Sequence, residues 1–174
     1  MINTFVATAA GALFWMLSER AAGHKPSALG LASGIIAGLV AVTPAAGNSG
    51  PFGAIVLGAV ASMLCFVVVS KVKPAMGFDD SLDAFGIHGI GGMVGAIGTG
   101  IVYSPALGGP GGDDFMMGAQ GWIQIKSVIV SILWAGIGTA IALYIVKAIM
   151  GLRVSEEVEI EGLDLGEHGE RAYN

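Results

Sequence analysis

Charge is scarce in this sequence. Of 174 residues, 12% are Asp, Glu, Lys or Arg, against about 25% in a typical soluble domain. Hydrophobic residues make up 54%, so the composition points to a membrane protein. The eight basic residues form no stripe, which excludes a nucleic-acid backbone as partner. Cysteine is all but missing. Cys65 stands alone inside an apolar run, so one chain can form neither a disulfide framework nor a cysteine zinc site. Its use does not report the redox compartment. A phosphate-cradling glycine loop, a nucleophile–base pair and a metal-ligand cluster are also lacking. The expectation is no cofactor, no metal and no enzyme. The acids Glu156, Glu157, Glu159 and Glu161 have no EF-hand spacing and read as a solvated charge run.

The charge that is present is unevenly placed. Residues 1–152 carry six basic and six acidic side chains, and the net charge of −5 falls entirely in residues 153–174. The other 152 residues hold five apolar segments, at about 3–18, 27–46, 52–70, 82–103 and 123–149. Each is read as a transmembrane helix, since about 20 apolar residues cross the hydrocarbon of a bilayer. The fold class expected is therefore an all-α polytopic membrane protein with an acidic tail. The connections are short and punctuated by Gly and Pro, and the longest runs from about Ser104 to Gln120.

Lys and Arg set the orientation. Arg20, Lys25, Lys71, Lys73, Lys147, Arg153 and Arg171 fall on one side of a five-span chain, and only Lys126 falls on the other. The N-terminus is expected outside and the tail in the cytoplasm. A chain that starts outside with no targeting segment suggests either translocation of a short N-terminus or the back portion of something longer.

Gly30, Gly34 and Gly38 form a small-residue strip on one face of the second span, read as a seam for close helix packing. Thr43-Pro44 should bend or end that helix. In the fourth span Asp83 is expected to cap the helix start. His88 is the outlier, about 9 Å along the span from its start. An ionisable group at that depth faces the bundle interior or a polar pathway. Two readings stay open: a neutral imidazole hydrogen-bonded to a neighbouring helix, or a group that hydrogen-bonds a small solute and relays its proton. Asp113-Asp114 lies in the long loop without a His or Cys partner, and reads as a surface or weakly cation-attracting pair. Trp15, Trp122 and Tyr103 read as interfacial anchors. In the tail, Val154, Val158 and Ile160 interleave with acids. That pattern fits a segment docking on the membrane face or a partner, and a frayed terminus is the other reading.

Three stretches carry a family resemblance. One is Lys25-Pro26-Ser27 through Gly30, Gly34, Ala37-Gly38-Leu39-Val40 to Thr43-Pro44 and Gly47. Another is Asp83-x-Phe85-x-x-His88-Gly89-x-x-Gly92-x-x-Gly95. The last is Gly151-Leu152-Arg153-Val154-x-Glu156-Glu157 through Gly162-Leu163-Asp164 to His168-Gly169-Glu170-x-Ala172-Tyr173. Together they resemble the Amt/Mep/Rh ammonium transporter family, in its bacterial Amt branch. The resemblance implies a homotrimer in the inner membrane, each subunit having its own narrow apolar pore and eleven spans, ten of them in two inverted halves. The five spans here look like the seventh to eleventh.

On that resemblance His88 is the second of a twin-histidine pair in the conduction path, and Ile36 and Ala84 line the pore. Asp83, Gly89 and Gly92 are structural in the pore helix. The first histidine and the outer ammonium site belong to spans this sequence does not contain. Ammonium is implied to lose a proton and cross as ammonia. Gly151, Arg153, Glu156, Gly162, Asp164, His168, Gly169 and Tyr173 are implied to form a regulatory tail near a P-II-type signalling protein. Ser155 departs from a proline common there. Length is the main departure, because midplane sites in inverted repeats form between the halves. The expectation is that this chain alone does not complete a conducting pore. A truncated product, an incomplete sequence or a need for a partner half would each account for it. A non-transporting sensor acting through the tail is the competing expectation.

Overall fold

Small residues decide how the helices meet. The computed structural model describes residues 1–171, and all regular structure among them is helical. The elements are α1 (Ile2–Ala21), α2 (Ala28–Val42), α3 (Pro51–Val67), α4 (Lys73–Met76), α5 (Ile90–Val102), α6 (Met117–Ile149), α7 (Glu156–Glu161) and α8 (Leu163–Gly166). A 3-10 turn at Thr43–Ala45 continues α2 where Pro44 removes a donor. Two π-helical stretches, Val68–Val72 and Ala84–Gly89, lie before α4 and before α5. Among the described residues four helical segments are long and apolar enough to cross a membrane: Ala28–Ala45, Pro51–Met76, Ala84–Val102 and Met117–Ile149. Helix α1 has 20 residues but is less apolar, since it carries Asn3, two threonines and Glu19-Arg20.

The chain divides into two units, Met1–Ile129 and the residues from Val130 onward. In the first unit α1 packs on both α2 and α3. The face it presents to them is alanine and glycine, with Ala7, Ala10, Gly11 and Ala12 buried beside Trp15. A Cβ on Gly11 would overlap the Gly34 carbonyl, and one on Gly34 would lie 2.6 Å from the Gly11 oxygen. A Cβ on Gly38 or on Gly58 would overlap the Ala7 carbonyl. Backbones this close gain dispersion contact that larger side chains would prevent. Gly30, the first glycine of the α2 strip, instead meets the Glu19 carboxylate. Glu19 accepts from the Ser27 amide at 3.0 Å and the Ser27 hydroxyl at 2.8 Å. Ser27 in turn caps α2 by accepting from Gly30 N–H at 2.8 Å.

At the other end of α1 the Asn3 amide donates to the carbonyls of Ala46 and Ser49, at 2.9 and 2.6 Å. The Ser62 hydroxyl donates to the buried Gly11 carbonyl at 2.7 Å, joining α3 to α1. Contacts fix the directions. Ala7 clusters with Val42 and Ala54, while Trp15 clusters with Ala37 and Phe66. Helix α1 therefore runs with α3 and against α2. Helix α5 runs with α2: Ala37 clusters with Ile87, Gly91 faces Val40, Gly95 abuts the Ala41 backbone, and Ala45 clusters with Val102. Directions thus alternate along the chain, as consecutive membrane crossings require.

The loop after α5 is shorter than the sequence suggests. Helix α6 begins at Met117, so Gly118 to Gln120 are helical rather than loop. A Cβ on Gly100 would come 3.0 Å from Gly121 Cα, so α5 and the start of α6 also touch through glycine.

In the second unit the rest of α6 is exposed along its whole length, including Trp134 and Tyr144. Gly151, at φ +83°, ends it in the left-handed conformation that a side chain would strain. Ser155 caps α7, and Arg153 pairs with Glu159. Gly162, at φ +111°, breaks the chain between α7 and α8.

Candidate functional site: the start of the fourth apolar span

Residues 77–89 hold a network of side-chain hydrogen bonds at the entry to the fourth apolar span. Gly77, at φ +66°, closes α4 with its N–H on the Lys73 carbonyl at 3.0 Å. The chain then turns through Asp79, Asp80 and Asp83. Asp83 occupies the position before the π-helical stretch, but at φ +54° and without a side-chain cap bond. The cap expected of Asp83 is supplied by Asp80. Its carboxylate accepts from Phe85 N–H at 3.1 Å and Gly86 N–H at 3.0 Å. These are free donors at a helix start, and a carboxylate also suits the positive end of the helix dipole. The Gly86 N–H above all, aided by Phe85, Ala84 and the Lys73 charge, holds the Asp80 carboxyl below its usual range. Asp83 instead pairs with Lys73, whose ammonium also donates to the Asp80 carbonyl at 3.1 Å. One lysine thus ties the end of the α3–α4 rod to the start of the α5 segment.

Packing fixes the same turn. A Cβ on Gly86 would sit 2.7 Å from Val69 Cγ2, so the two π-helical stretches touch there. Phe85 stacks edge-on against Phe78, with ring centroids 5.8 Å apart, and its ring lies 2.9 Å from where a Cβ on Gly89 would be. The Cys65 thiol donates weakly to the Ile87 carbonyl, at 3.7 Å. His88 is therefore flanked by a buried Ile87 and a sterically confined Gly89, while its own side chain is exposed on this chain. Ala84 and Ile36 are exposed too. Ile36 precedes Ala37, and Ala37 shares a buried cluster with Ile87. Ile36 and His88 thus lie at one level of two helices that run side by side. The structure places Ile36 midway along α2 at the level of His88, with Ala84 four residues before His88 at the start of the π-helical stretch.

The glycines of this helix are not equivalent. Gly92, expected to be structural, has only Val40 Cγ1 near, at 4.0 Å, whereas a Cβ on Gly95 would overlap the Ala41 backbone. The tail residues form a separate set. Gly151, Arg153, Glu156 and Gly162 shape the turns around α7 as described. The Asp164 carbonyl accepts from Glu170 N–H at 2.9 Å, and Gly169, at φ +66°, donates to the Leu165 carbonyl at 3.2 Å. His168 is exposed, and Tyr173 lies outside the described residues. Among the described residues no group of His, Cys, Asp and Glu could hold a metal.

Sequence reasoning missed Asp80 and Lys73. The signal was present as two further charges within ten residues of Asp83, beside a glycine able to turn the chain.

Alternating apolar helices packed through glycine, with charge gathered at their ends, define a multi-pass helical membrane protein. The family model for the Ammonium Transporter Family matches residues 1–173, and the chain belongs to that family. It is 51% identical to an ammonium transporter of Aquifex aeolicus over 174 residues, covering 100% of this chain and 41% of that protein. It is 44% identical to an ammonium transporter of Bacillus subtilis, covering 99% and 43%. The crystal structure of Saccharomyces cerevisiae Mep2 superposes with a TM-score of 0.78 at 34% identity, covering 90% of this chain and 37% of that one. A structure described as a sensor Amt protein superposes at 0.83 with 28% identity, covering 95% and 40%. The chain spans about two fifths of the length of the curated relatives it matches.

Proposed function

We propose that this chain supplies one half of a pore that moves ammonium across a membrane as ammonia, with His88 in the conduction path. The observation that carries the proposal is His88 itself. It is an ionisable side chain within an apolar spanning segment, exposed beside Ile36 and Ala84, on a backbone pinned by Asp80, Cys65 and Phe85. An ionisable residue in such a segment marks a solute or proton path. A bare ammonium in low dielectric carries a penalty of several kcal/mol or more, whereas a neutral amine loses only hydrogen bonds. Deprotonation before entry follows from that difference. A neutral imidazole offers one donor and one acceptor to the passing molecule and a route for the released proton. The exposure of His88, Ile36 and Ala84 on this chain leaves one wall of the pore open, which companion helices would close.

The remaining roles extend this reading. Residues 1–152 are the membrane region and 153–174 a cytoplasmic tail, with the N-terminus outside, in the inner membrane. Asp83, through its pair with Lys73, and Gly89, against the Phe85 ring, hold the pore helix, and the subunits assemble as a homotrimer. The tail residues Gly151, Arg153, Glu156, Gly162, Asp164, His168, Gly169 and Tyr173 form a docking segment for a P-II-type signalling protein.

The test is methylammonium uptake into proteoliposomes. The chain is compared alone and with the front half of the Aquifex aeolicus relative. Uptake is expected only from the pair. Uptake by the lone chain contradicts the half-pore reading. No uptake from a correctly assembled pair, with a P-II-type protein captured by the tail, favours a sensor.

A further inference from the structure

The fourth apolar span opens on a strained residue. Asp83, at φ +54°, is the only residue other than glycine with a positive φ among the described residues. Side chains rarely adopt that conformation, and it persists where surrounding bonds hold it. The helix start is built on it. The Asp83 carbonyl accepts from the Ile87 N–H at 2.8 Å, so the setting of Asp83 fixes the turn that carries His88. That turn is wide. The Ile90 N–H reaches the Phe85 carbonyl, five residues back, and His88 lies between them. Single π turns are rare and recur at functional sites.

The Asp83 carboxylate is held from the preceding span. It pairs with the Lys73 ammonium, which also donates to the Asp80 carbonyl at 3.1 Å. Lys73 is placed there by a wide turn of its own. It closes the Val68–Val72 stretch with its N–H on the Val68 carbonyl, again five residues back. The two wide turns also meet through packing, at Val69 and Gly86. The side chains of the pair are 23% and 25% exposed, so water screens their attraction less than at an open surface. The other bonds on this turn act further along. Asp80 holds the N–H groups of Phe85 and Gly86, and Cys65 meets the Ile87 carbonyl.

We propose that Lys73 is a positioning residue: acting through Asp83, it keeps the wide turn open and so sets the direction in which His88 points. Without the ammonium, Asp83 leaves the left-handed region and its carbonyl turns away from the Ile87 N–H. The wide turn then tightens toward α geometry, and the imidazole rotates off its present face. That this direction matters for transport rests on the proposed function. The control of His88 by Lys73 does not.

The experiment uses the full chain in lipid nanodiscs with ring-labelled histidine. His88 is told from His24 and His168 by the signals lost in His88→Ala. Lys73→Ala should shift the His88 ring signals and leave the other two histidines in place. Lys73→Met, uncharged and close in length, is read instead if the alanine variant misfolds. Lys73→Arg keeps the charge and should restore the signals. Lys71→Ala removes an exposed neighbouring charge and should move none. Asp83→Gly makes the link explicit. Glycine takes a positive φ without strain and has no carboxylate, so Lys73→Ala should shift His88 far less in that background. His88 signals unmoved by loss of the Lys73 charge, moved as far by Lys71→Ala, or moved equally in the Asp83→Gly background would overturn the proposal. In the complemented pair, Lys73→Ala should slow methylammonium uptake about tenfold or more, and Lys73→Arg should recover it. A displaced His88 with undiminished uptake counts against His88 in the path and leaves the positioning role standing. Lost uptake with His88 in place counts against the positioning role alone.

Discussion

Replacing Gly38 with alanine drives a methyl group into the Ala7 backbone. The new Cβ would lie 3.0 Å from the Ala7 carbonyl carbon and 3.1 Å from Thr8 Cα, and closer still to the Ala7 oxygen. No flexible side chain is there to yield, so α1 and α2 must separate. Overpacking of this kind costs about 1–3 kcal/mol, and a backbone-on-backbone clash belongs near the top of that range. Alanine returns about 1 kcal/mol through its better helix propensity. The net expectation for Gly38→Ala is a loss of about 2 kcal/mol. Gly92→Ala is the matched control. It gains the same propensity and finds only Val40 Cγ1, at 4.0 Å, so it should be neutral or stabilise by up to about 1 kcal/mol. The propensity term cancels between the two variants and leaves the clash alone. Unfolding by sodium dodecyl sulfate in bicelles, followed by tryptophan fluorescence, measures both. Trp15 is buried edge-on against Phe66, with centroids 5.6 Å apart, and reports the α1 contact. Equal stability of the two variants, within about 0.5 kcal/mol, would refute the claim that this seam is closed by backbone contact.

Three further outcomes follow from the same structure. Ser62→Ala removes the buried hydroxyl that donates to Gly11 and should cost about 1 kcal/mol in the same assay. Asp80 has its pKa lowered in the fold, so its contribution is complete above the unfolded value of about 3.9 and fades as pH falls through the lower folded value. Asp80→Asn should therefore flatten the acid limb of the stability–pH profile, and an unchanged limb would contradict its capping role. Arg153→Ala breaks an exposed pair with Glu159 and should change stability by less than about 0.5 kcal/mol, read by the same unfolding titration.

The glycine strip Gly30, Gly34, Gly38 was legible as a packing seam because its four-residue spacing lies on one helix face whatever the partner. The partner was not legible. Helix α1 is the least apolar of the five long helices because Asn3, Thr4, Thr8, Ser18, Glu19 and Arg20 lower its hydropathy, and hydropathy does not register the small residues by which it packs among its neighbours. The capping arrangement was half legible. The sequence points to a carboxylate at the start of the fourth span, and Asp83 is the nearest one. Its left-handed backbone turns its carboxylate toward Lys73 and leaves the N–H groups to Asp80. Such a switch depends on three-dimensional closure and leaves no periodic trace. The π-helical stretches were invisible for a related reason, since a search for 3.6-residue periodicity passes over a single wide turn. Gln120 was read as loop because the glycines, prolines and aspartates before it obscured where α6 begins.

The central claim is that His88 lies in the conduction path. Its most direct measurement is the initial rate of methylammonium uptake by the complemented pair carrying His88→Ala, beside the pair with His88 intact and at matched protein density. The account predicts a large fall in rate or a loss of selectivity for ammonium over other monovalent cations, with the unfolding profile unchanged. An undiminished rate with undiminished selectivity would contradict it.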